Sequence, residues 1–480
     1  MARRWDTRPL KEQQRLQNVL LKQAILQMAL AHIPLARQRL AAAGIDARTF
    51  GGLEELSRIP PAMRRDVIDP RRNPEGPRAV MLRGSVEAVK RFSDRRTVQK
   101  IFLARILGGE EVQERLVEAA TRPIHLHLID GPGGRIPVAY TRDDLELVAR
   151  AGARLAALVG LEREDRLINV VPLAPSLDFW GIFYMAHGVG MSALHVRRDG
   201  QTLPQALWGF RDMQATAVAL PANEAVRFPD AAREQELDLS RLHLLLAVGR
   251  SLSAEERAEV GEGLRAAGAS EARIAAAYAP PESHVLWAEC AVPAGRSETF
   301  GFHTFPDLGV VEVLSPETAA PIQEEAPGEL VITPLVFRGS GLPRWRTGDL
   351  ALGGLTTEPC PNCARTVPRV GPTILSDAWR REVSLNGRRT VVDLRDAGAA
   401  ASERAREWQV ELERTRYGDR LFIHLAASPD PGPMIDLYED LRRLQEAPTQ
   451  IVLADPTELA ARLERAPRPW PRYVERGSAP

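Results

Sequence analysis

Lysine is scarce in this sequence, and cysteine is scarcer. The only lysines are Lys11, Lys22, Lys90 and Lys100, so all but four of the 63 basic residues are arginine. This excludes any mechanism that needs a lysine after position 100. The three cysteines are an odd number, which argues against a disulfide framework and suits a reducing compartment.

Long apolar runs are also missing. None approaches the roughly 18 to 20 residues that a membrane helix needs, and the N-terminal stretch MARRWDTRPLKEQQRLQ lacks the apolar core of a signal peptide. We therefore expect a cytoplasmic protein. The 63 acidic residues balance the 63 basic ones, and this zero net charge removes the simplest electrostatic case for nucleic-acid binding.

What the chain does have is length and an ordinary globular composition. Its 480 residues are 44% hydrophobic and 26% charged, which excludes a wholly disordered, collagenous or coiled-coil chain. A chain of this length predicts two or three domains with a large buried core.

Apolar strand patterns alternate with helical patterns through the first part of the chain, after opening helices over 10–43 that break at Pro34. We interpret 64–77 as a surface loop and the stretch after Leu220 as a polar loop. The predicted strands are 124–129, 166–171, 192–196, 215–220, 242–248 and 274–278, and the predicted helices are 141–159, 179–187 and 253–267. This rhythm predicts an α/β fold with mostly parallel sheets.

Shorter strand patterns follow, divided by glycine and proline. Strands at 310–314 and 329–333 predict a β-rich part over about 288–372, which completes an N-terminal domain of residues 1–372. A small α+β C-terminal domain is predicted over 373–480, with strands at 408–412, 419–425 and 450–453 and a helix at 433–446. Its Pro/Arg-rich tail from about 461 is predicted to be flexible.

The sequence CPNC at Cys360–Cys363 is the strongest local signal. Two thiolates at this spacing can hold one tetrahedral metal ion from a tight turn. Cys290 and His303 would complete a Cys3His site, with His284 as the alternative fourth ligand. We favour structural zinc, because the pair lies in a proline-bounded loop rather than in a thioredoxin-like setting, but a redox pair or two unrelated thiols remain alternatives.

The sequence RTGD at Arg346–Asp349 follows the strand pattern GELVITPL and a proline-containing turn. A carboxylate placed at the buried edge of a strand can accept hydrogen bonds from the two hydroxyls of a ribose, and such charge-assisted bonds are strong. Taken alone, RTGD is an ordinary turn.

Together these segments resemble the phenylacetate-CoA ligase family of adenylate-forming enzymes. The segments are GELVITPL, RTGD, CPNCARTVPR, YAPPESHVLWAEC, GFHTFPDLGVVEVLSP and the N-terminal LQMALAHIPLARQRLAAAGIDARTFGGLEELSRIP. The resemblance covers about residues 10 to 372 and is closest between Ala277 and Gly371. It implies a large N-terminal adenylation domain, a small C-terminal domain that swings over the site, and the Cys and His zinc site of many relatives.

The resemblance also implies roles for single residues. Tyr278 stands where the family stacks an aromatic ring on adenine, Glu282 where it places a magnesium-binding carboxylate, and Asp349 where it binds the ribose. From the tyrosine to the glutamate the family has the motif Tyr-Gly-x-Ser/Thr-Glu. This chain has Tyr-Ala-Pro-Pro-Glu over residues 278–282, so it lacks the Ser/Thr hydroxyl of the family. A core aromatic at Tyr278 and a solvated loop acid at Glu282 are the alternative interpretations.

The phosphate-binding loop departs from the family pattern. Where the family has Ser/Thr-Gly-Thr-Thr-Gly, this chain has Asp130 followed by Gly131, Pro132, Gly133 and Gly134. The three glycines are candidate nucleotide-binding residues, yet every hydroxyl is lost, Pro132 has no N–H, and the sequence also fits a turn with no phosphate role. Asp130 at about 4 Å from a phosphate charge would oppose binding by roughly 4 kcal/mol at an effective dielectric near 20, unless Mg²⁺ or Arg135 intervenes.

The family's C-terminal catalytic lysine is absent too. Pro469 aligns near its position, and a planar guanidinium from Arg468 or Arg472 is a poor substitute for a compact ammonium. Because electrostatic stabilisation is usually the largest catalytic contribution, the loss is expected to be severe.

Three functional hypotheses follow. The first is ATP-dependent activation of an aromatic or other apolar carboxylic acid to an acyl-adenylate and then an acyl-CoA, in impaired or altered form. The second is a catalytically degenerate relative that binds nucleotide or acyl-CoA as a scaffold or accessory protein, and the third is a purely structural protein. The expected cofactors are structural Zn, Mg with ATP or AMP, and coenzyme A as acceptor. The expected partners are a small-molecule acid and a second copy or partner enzyme, but neither nucleic acid nor membrane.

Overall fold

The computed structural model describes residues 5–86, 89–90, 95–129, 134–196, 202–375, 380–385, 388–394, 397–398, 401, 408–415, 418–426, 449–465 and 473–477. Several sequence predictions lie outside these residues. They are the helix at 433–446, the loop residues Asp130, Gly131, Pro132 and Gly133, and the tail positions Arg468, Pro469 and Arg472.

The N-terminal helices form as the sequence predicts. Helix α1 (Leu10–Gln27) passes into a π-helical turn (Met28–His32), and α2 (Pro34–Ala42) begins at Pro34. Proline suits the first turn of a helix because its missing N–H has no intrahelical partner there. Leu21, Ile25 and Leu40 are fully buried in a cluster that also contains Trp345.

The prediction of a surface loop over 64–77 is wrong in its first part. Helix α3 (Arg64–Ile68) lies there, and the side chains of Arg64 and Arg65 are 3% and 7% exposed. The high arginine content favours a solvated segment. The guanidinium of Arg64 instead donates hydrogen bonds to backbone carbonyls inside the fold. Short 3₁₀ turns flank this region at Leu53–Arg58 and Gly76–Val80.

Seven further helices are described: α4 (Arg95–Thr121), α5 (Arg142–Val159), α6 (Leu177–Val189), α7 (Thr202–Met213), α8 (Ala222–Glu234), α9 (Ala254–Ala266) and α10 (Pro456–Arg465). Helix α5 begins with a capping box, in which Thr141 Oγ1 accepts from the Asp144 N–H and the Asp144 carboxylate accepts from the Thr141 N–H. It ends at Gly160, whose φ of 83° is left-handed.

The predicted polar loop after Leu220 is also corrected, because it contains helix α8. This helix carries Pro229 in its interior and buries Ala225 and Phe228. The proline and the charged residues obscured an amphipathic pattern, so the helix is held by its buried face rather than by helix propensity.

A ten-stranded sheet forms the centre, with strands in the order β14-β15-β10-β8-β7-β6-β5-β3-β4 and β9 paired to β7. Strands β7, β6, β5, β3 and β4 are parallel neighbours. The strands are β3 (Arg166–Asn169), β4 (Ser192–His195), β5 (Ala217–Pro221), β6 (Leu244–Val248), β7 (Arg273–Tyr278), β8 (Trp287–Ala288), β9 (Val292–Pro293), β10 (Phe302–His303), β14 (Leu355–Thr356) and β15 (Arg369–Val370). The parallel strands are nearly continuous apolar runs, which suits burial on both faces.

A second sheet is antiparallel, in the order β11-β12-β13-β16. Its strands are β11 (Gly309–Leu314), β12 (Gly328–Pro334), β13 (Trp345–Ala351) and β16 (Ile374–Leu375). A two-stranded hairpin of β1 (His125–Ile129) and β2 (Ile136–Tyr140) flanks the position of the predicted phosphate loop. The β-rich character predicted after 288 is therefore present.

The last part of the chain has its own buried apolar cluster, which begins at Val383 and includes Trp408 and Val410. Strands β17 (Arg380–Leu385) and β18 (Arg388–Asp393) form a hairpin, and β21-β20-β19-β22 form a sheet. The latter strands are β19 (Trp408–Arg414), β20 (Arg420–Ala426), β21 (Thr449–Ala454) and β22 (Tyr473–Gly477). The domain boundary at 372/373 stays a prediction.

The expectation of a flexible tail is wrong for two described segments. Helix α10 continues to Arg465, and β22 pairs in parallel with β19, with Val410 opposite Tyr473. Tyr473 also packs its ring against Trp408 at 5.5 Å between centroids. These pairings order a segment whose proline and arginine content alone suggests disorder.

Among the described residues, no single helix has both the length and the apolar character to cross a membrane. One bent pair, Leu10–Leu30 with Pro34–Ala42, meets the length and composition criteria only jointly, across a bend of 104°.

A buried ion pair ties helix α9 to the central sheet and provides a stability prediction. Arg257 and Glu289 are 1% and 2% exposed, and the Glu289 carboxylate also accepts from the Ala276 N–H at 3.1 Å. We expect Glu289→Leu to lower the free energy of unfolding by about 3 to 5 kcal/mol, because it leaves the Arg257 charge buried and unpaired. Urea unfolding at pH 7 measures the change.

The double variant Arg257→Met/Glu289→Leu is the control for this prediction. Replacing both charges by apolar side chains of similar size is often close to neutral, so the double variant should unfold nearer to the wild type than the single one. A double variant as unstable as the single variant would contradict the assignment to the unpaired charge.

Candidate functional site

The RTGD segment forms a β-bulge on strand β13. The pairing of β12 with β13 shifts register between Glu329 and Val331, which leaves Thr347, Gly348 and Asp349 in the bulge. Gly348 has a φ of 89°, a left-handed conformation that favours glycine. The bulge lets the strand re-aim the side chain that follows it.

Glu329, which is fully buried, holds this bulge in place. Its carboxylate accepts from the Arg346 guanidinium and from the Gly348 N–H at 3.1 Å. Thr347 Oγ1 donates to the Leu330 carbonyl and accepts from the Asp349 N–H at 3.0 Å. Each residue of RTGD therefore has a structural role in the bulge, and together these contacts fix the direction of the Asp349 side chain.

The Asp349 carboxylate meets Tyr278 at the carboxyl end of strand β7. The Tyr278 hydroxyl donates to Asp349 Oδ2, and the two side chains are 3% and 8% exposed. The Tyr278 ring packs against Trp287 and Phe302 at 6.0 and 5.7 Å between centroids. The predicted ribose and adenine residues are thus brought together, with Tyr278 serving also as a core aromatic.

Glu282 lies just beyond β7, in the 3₁₀ turn Pro281–Ser283. It is 6% exposed, so it is not the solvated loop acid of the alternative interpretation. The next residue, Ser283, turns its hydroxyl inward. Its Oγ atom lies 2.8 Å from the carbonyl oxygen of Pro280 and 2.5 Å from that of Val285. That hydroxyl therefore does not replace the one missing from the family pattern.

Arg64 is a residue that the sequence interpretation missed. Its guanidinium donates to the Ile129 carbonyl at 3.3 Å and to the Gly134 carbonyl, on the two sides of the predicted phosphate loop. Gly134 is the only predicted loop glycine among the described residues, and its φ is 132°. The spacing of 65 residues between Arg64 and Ile129 contains no signal for this contact, which only the tertiary fold creates.

The three cysteines and one histidine converge on one point. Cys290, His303, Cys360 and Cys363 present ligand atoms that all lie within 4.8 Å of one another. Cys290 Sγ and Cys360 Sγ are 3.7 Å apart, and Cys363 Sγ lies 3.3 Å from His303 Nε2. Of the two histidines that the sequence left open as the fourth ligand, the structure places His303 beside the three cysteines.

The donor set fits a tetrahedral zinc ion. Zn–S and Zn–N bonds of about 2.3 and 2.0 Å imply ligand separations of about 3.8 Å between sulfurs and about 3.5 Å between sulfur and nitrogen. The separation of 3.7 Å between the Cys290 and Cys360 sulfurs and that of 3.3 Å between Cys363 Sγ and His303 Nε2 are close to these values. Hydrogen bonds from the neighbouring thiols of Cys290 and Cys360 lower the pKa of Cys363, which favours the thiolate that binds metal.

His284 belongs instead to a cluster of histidines and aromatic rings. Its ring stacks on Phe337 at 4.6 Å and meets Tyr140 edge-on at 5.3 Å, while Nε2 lies 3.3 Å from Ser340 Oγ. His127 meets Tyr140 at 4.9 Å, and His125 meets Trp180 at 4.7 Å. This cluster contacts helix α6 through Trp180.

Two of these histidines predict a loss of stability in acid. Burial lowers the pKa of His127 to about 3 and that of His284 to about 4, against about 6.5 in the unfolded chain. Unfolded chains therefore bind more protons, and the stabilisation present above pH 6.5 falls as the pH drops towards 4 and 3. Below pH 6.5, each of the two histidines should lower the free energy of unfolding by about 1.4 kcal/mol per pH unit. Urea unfolding at pH 7 and at pH 5 measures this change.

Replacing His284 by glutamine should remove about one proton from the number taken up on unfolding, so the free energy of unfolding should depend less steeply on pH. His187→Gln, which changes an exposed histidine on α6, is the matched control and should leave the slope as it is. An unchanged slope in His284→Gln would contradict the assignment.

Comparisons with known proteins find similarity in sequence and in fold. No family model matches the chain. A phenylacetate-coenzyme A ligase of Thermus thermophilus is 28% identical over 375 residues, which cover 77% of this chain and 71% of that protein. The chain is therefore similar to a phenylacetate-CoA ligase over most of its length.

Solved structures of CoA ligases have a fold similar to that of this chain. A 2-hydroxyisobutyryl-CoA ligase in complex with 2-HIB-AMP and CoA has a TM-score of 0.60 at 17% identity and covers 99% of this chain and 92% of its own. The same ligase in a postadenylation state has a TM-score of 0.60 at 18% identity and covers 95% and 88%. The predicted α/β fold class is confirmed.

Proposed function

We propose that the protein is an ATP-dependent carboxylic acid–CoA ligase with altered phosphate contacts. The observation that carries this proposal is the pairing of Tyr278 with Asp349 at the carboxyl end of β7, with the buried Glu282 in the turn that follows this strand. In this proposal Asp349 binds the ribose, Tyr278 borders the adenine, and Glu282 holds Mg²⁺. Ligands of α/β sheets bind at this edge, which supports the placement.

An aromatic or other apolar acid is the proposed substrate. Helix α6 presents Trp180, Phe183 and Tyr184, whose rings lie 5.3 to 6.3 Å from one another. Trp180 also contacts His125 on β1. A wall of aromatic rings favours a flat apolar acyl group over a charged one.

A structural zinc ion is part of the same proposal. Cys290, His303, Cys360 and Cys363 would hold it, and it would tie the ends of β8, β10 and the CPNC loop together. Four protein ligands leave no open coordination position, so the ion would serve the fold and not the reaction.

A second candidate function rests on a separate observation. The chain has no lysine after Lys100, although the family it resembles uses a C-terminal lysine during adenylation. In this candidate the protein binds an adenylate or nucleotide as an accessory protein and does not form the adenylate.

Pyrophosphate exchange with ATP, Mg²⁺ and a panel of aryl acids separates the two candidates. Acid-dependent exchange, followed by thioester formation on addition of CoA, supports the ligase. Binding of an acyl-sulfamoyl adenosine without exchange supports the second candidate. Absence of both binding and exchange would contradict both functions.

The position of Arg64 predicts that it contributes to binding the phosphates of ATP. It brings a buried positive charge to the position of the predicted phosphate loop, so we expect Arg64→Met to weaken ATP binding at least tenfold and adenosine binding much less. Isothermal titration with each ligand measures the difference. Arg64→Lys keeps the charge and should recover part of the ATP affinity. Equal losses for ATP and adenosine would indicate a general packing defect and contradict the phosphate role.

A further inference from the structure

The CPNC turn is closed by the residues that follow it. The Cys360 N–H donates to the Arg365 carbonyl, and the Ala364 N–H donates to the Cys360 carbonyl, both at 2.8 Å. Ala364 has a φ of 56°, a left-handed conformation that is uncommon outside glycine and needs support from its surroundings. The position of the two thiols therefore depends on how Arg365 and the next residue, Thr366, are held.

A segment from the other end of the chain holds both of these residues. We call residues 5–13 the strap. The Thr366 N–H donates to the Asp6 carbonyl at 2.8 Å, and the Thr366 hydroxyl donates to the Arg8 carbonyl at 2.5 Å. Gln13, which is 1% exposed, donates from Nε2 to Thr366 Oγ1 at 2.9 Å. The Arg365 guanidinium lies 3.6 Å from the Asp6 carboxylate, so the strap contacts the turn at its point of closure.

The Asp6 carboxylate also reaches the segment that carries His303. Arg154 on α5 is 8% exposed and donates to Asp6 Oδ1 at 3.0 Å and to Asp307 Oδ2 at 2.7 Å. Its guanidinium lies 4.6 Å over the ring of Phe305. Since Phe305 and Asp307 follow His303 directly in the chain, Asp6 links the CPNC turn to the segment of the histidine through one buried arginine.

We propose that the strap holds the CPNC turn in its zinc-binding conformation, with Asp6 as the positioning residue. This inference rests on the zinc ion of the proposed function and adds residues that none of the four ligands includes. The strap acts on the metal only through the turn, because it fixes the positions of the thiolates before the ion binds. Residues that orient metal ligands typically change metal affinity by about 10-fold to 100-fold when they are replaced.

Competition between the zinc-loaded full chain and a chromogenic chelator at pH 7 tests this proposal. We expect Asp6→Ala to raise the zinc dissociation constant about tenfold, because the strap then loses its link to Arg154. Thr366→Val keeps the shape of the side chain and removes only the hydroxyl. It should raise the constant by a smaller factor.

Asp66→Ala is the matched control. Asp66 is 14% exposed, against 15% for Asp6, and it also pairs with an arginine of the N-terminal part, Arg39, at 2.9 Å. Its loss should lower the melting temperature as Asp6→Ala does but leave the zinc affinity at the wild-type value. Equal zinc affinities in Asp6→Ala and the wild type, or an equal loss in both aspartate variants, would overturn the proposal.

Hydrogen exchange of the metal-free chain provides a second measurement. The N–H groups of Cys360, Ala364 and Thr366 are hydrogen-bonded in the held turn, so Asp6→Ala should speed exchange over 360–366 and Asp66→Ala should not. Unchanged exchange in Asp6→Ala would overturn the proposal even if the zinc affinity falls, because Asp6 would then not act through the turn. A chain that takes up no zinc would overturn both the proposed zinc ion and this inference, whereas zinc held equally by all variants would overturn the role of the strap alone.

Discussion

Replacing Asp349 by alanine is expected to weaken binding of an acyl-sulfamoyl adenosine about 100-fold. The carboxylate is proposed to accept two charge-assisted hydrogen bonds from the ribose, and each is worth about 1.5 to 3 kcal/mol. Losing about 3 kcal/mol corresponds to roughly a 100-fold change in the dissociation constant. Isothermal titration at pH 7 measures it.

Tyr278→Phe provides the comparison that locates this effect. It removes the hydroxyl that donates to Asp349 Oδ2 and keeps the ring, so we expect a smaller loss, of about tenfold. Asp230→Ala, at an exposed acid on α8, should have no effect. Affinity that survives unchanged in Asp349→Ala would show that this carboxylate does not contact the ligand.

Loss of metal is expected to have the largest effect on stability. We expect one zinc ion per chain in the purified protein, and Cys360→Ser or His303→Gln to lose it and to lower the melting temperature by more than about 10 °C. Structural zinc contributes directly to the folding free energy, on the order of 10 kcal/mol in small domains. Elemental analysis and thermal unfolding measure the two quantities.

His284→Gln is the matched control, because His284 is the histidine that the sequence could not distinguish from His303. It should retain the zinc, since its ring stacks on Phe337 away from the thiols. A Cys360–Cys363 disulfide in a metal-free protein, detected by mass spectrometry after thiol alkylation, would instead support the redox alternative.

The secondary structure of the central sheet was largely predictable, because its signal is local. Strand β6 is a run of apolar residues between His243 and Gly249, and α9 begins at a capping box formed by Ser253 and Glu256. Helix α8 was missed because Pro229 and its charged neighbours oppose helix in isolation. Its buried face against the sheet decides the conformation there.

The candidate site was predictable only in its parts. The sequence showed that Tyr278, Asp349 and CPNC carry suitable chemistry, mostly through a resemblance to relatives. It did not show that Tyr278 contacts Asp349, because 71 residues separate them and the contact depends on the register shift in β13. It also gave no reason to place Arg64 at the predicted phosphate loop.

The sequence by itself determined the α/β class, the absence of lysine after position 100 and the presence of a paired-cysteine turn. These follow from composition, short spacings and hydrophobic period, which need no knowledge of distant neighbours. Only the tertiary structure decided that His303 rather than His284 lies beside the cysteines, that Arg64 is buried, and that Tyr278 contacts Asp349. The physical reason is that such distances are set by strand register and by packing between elements far apart in the chain.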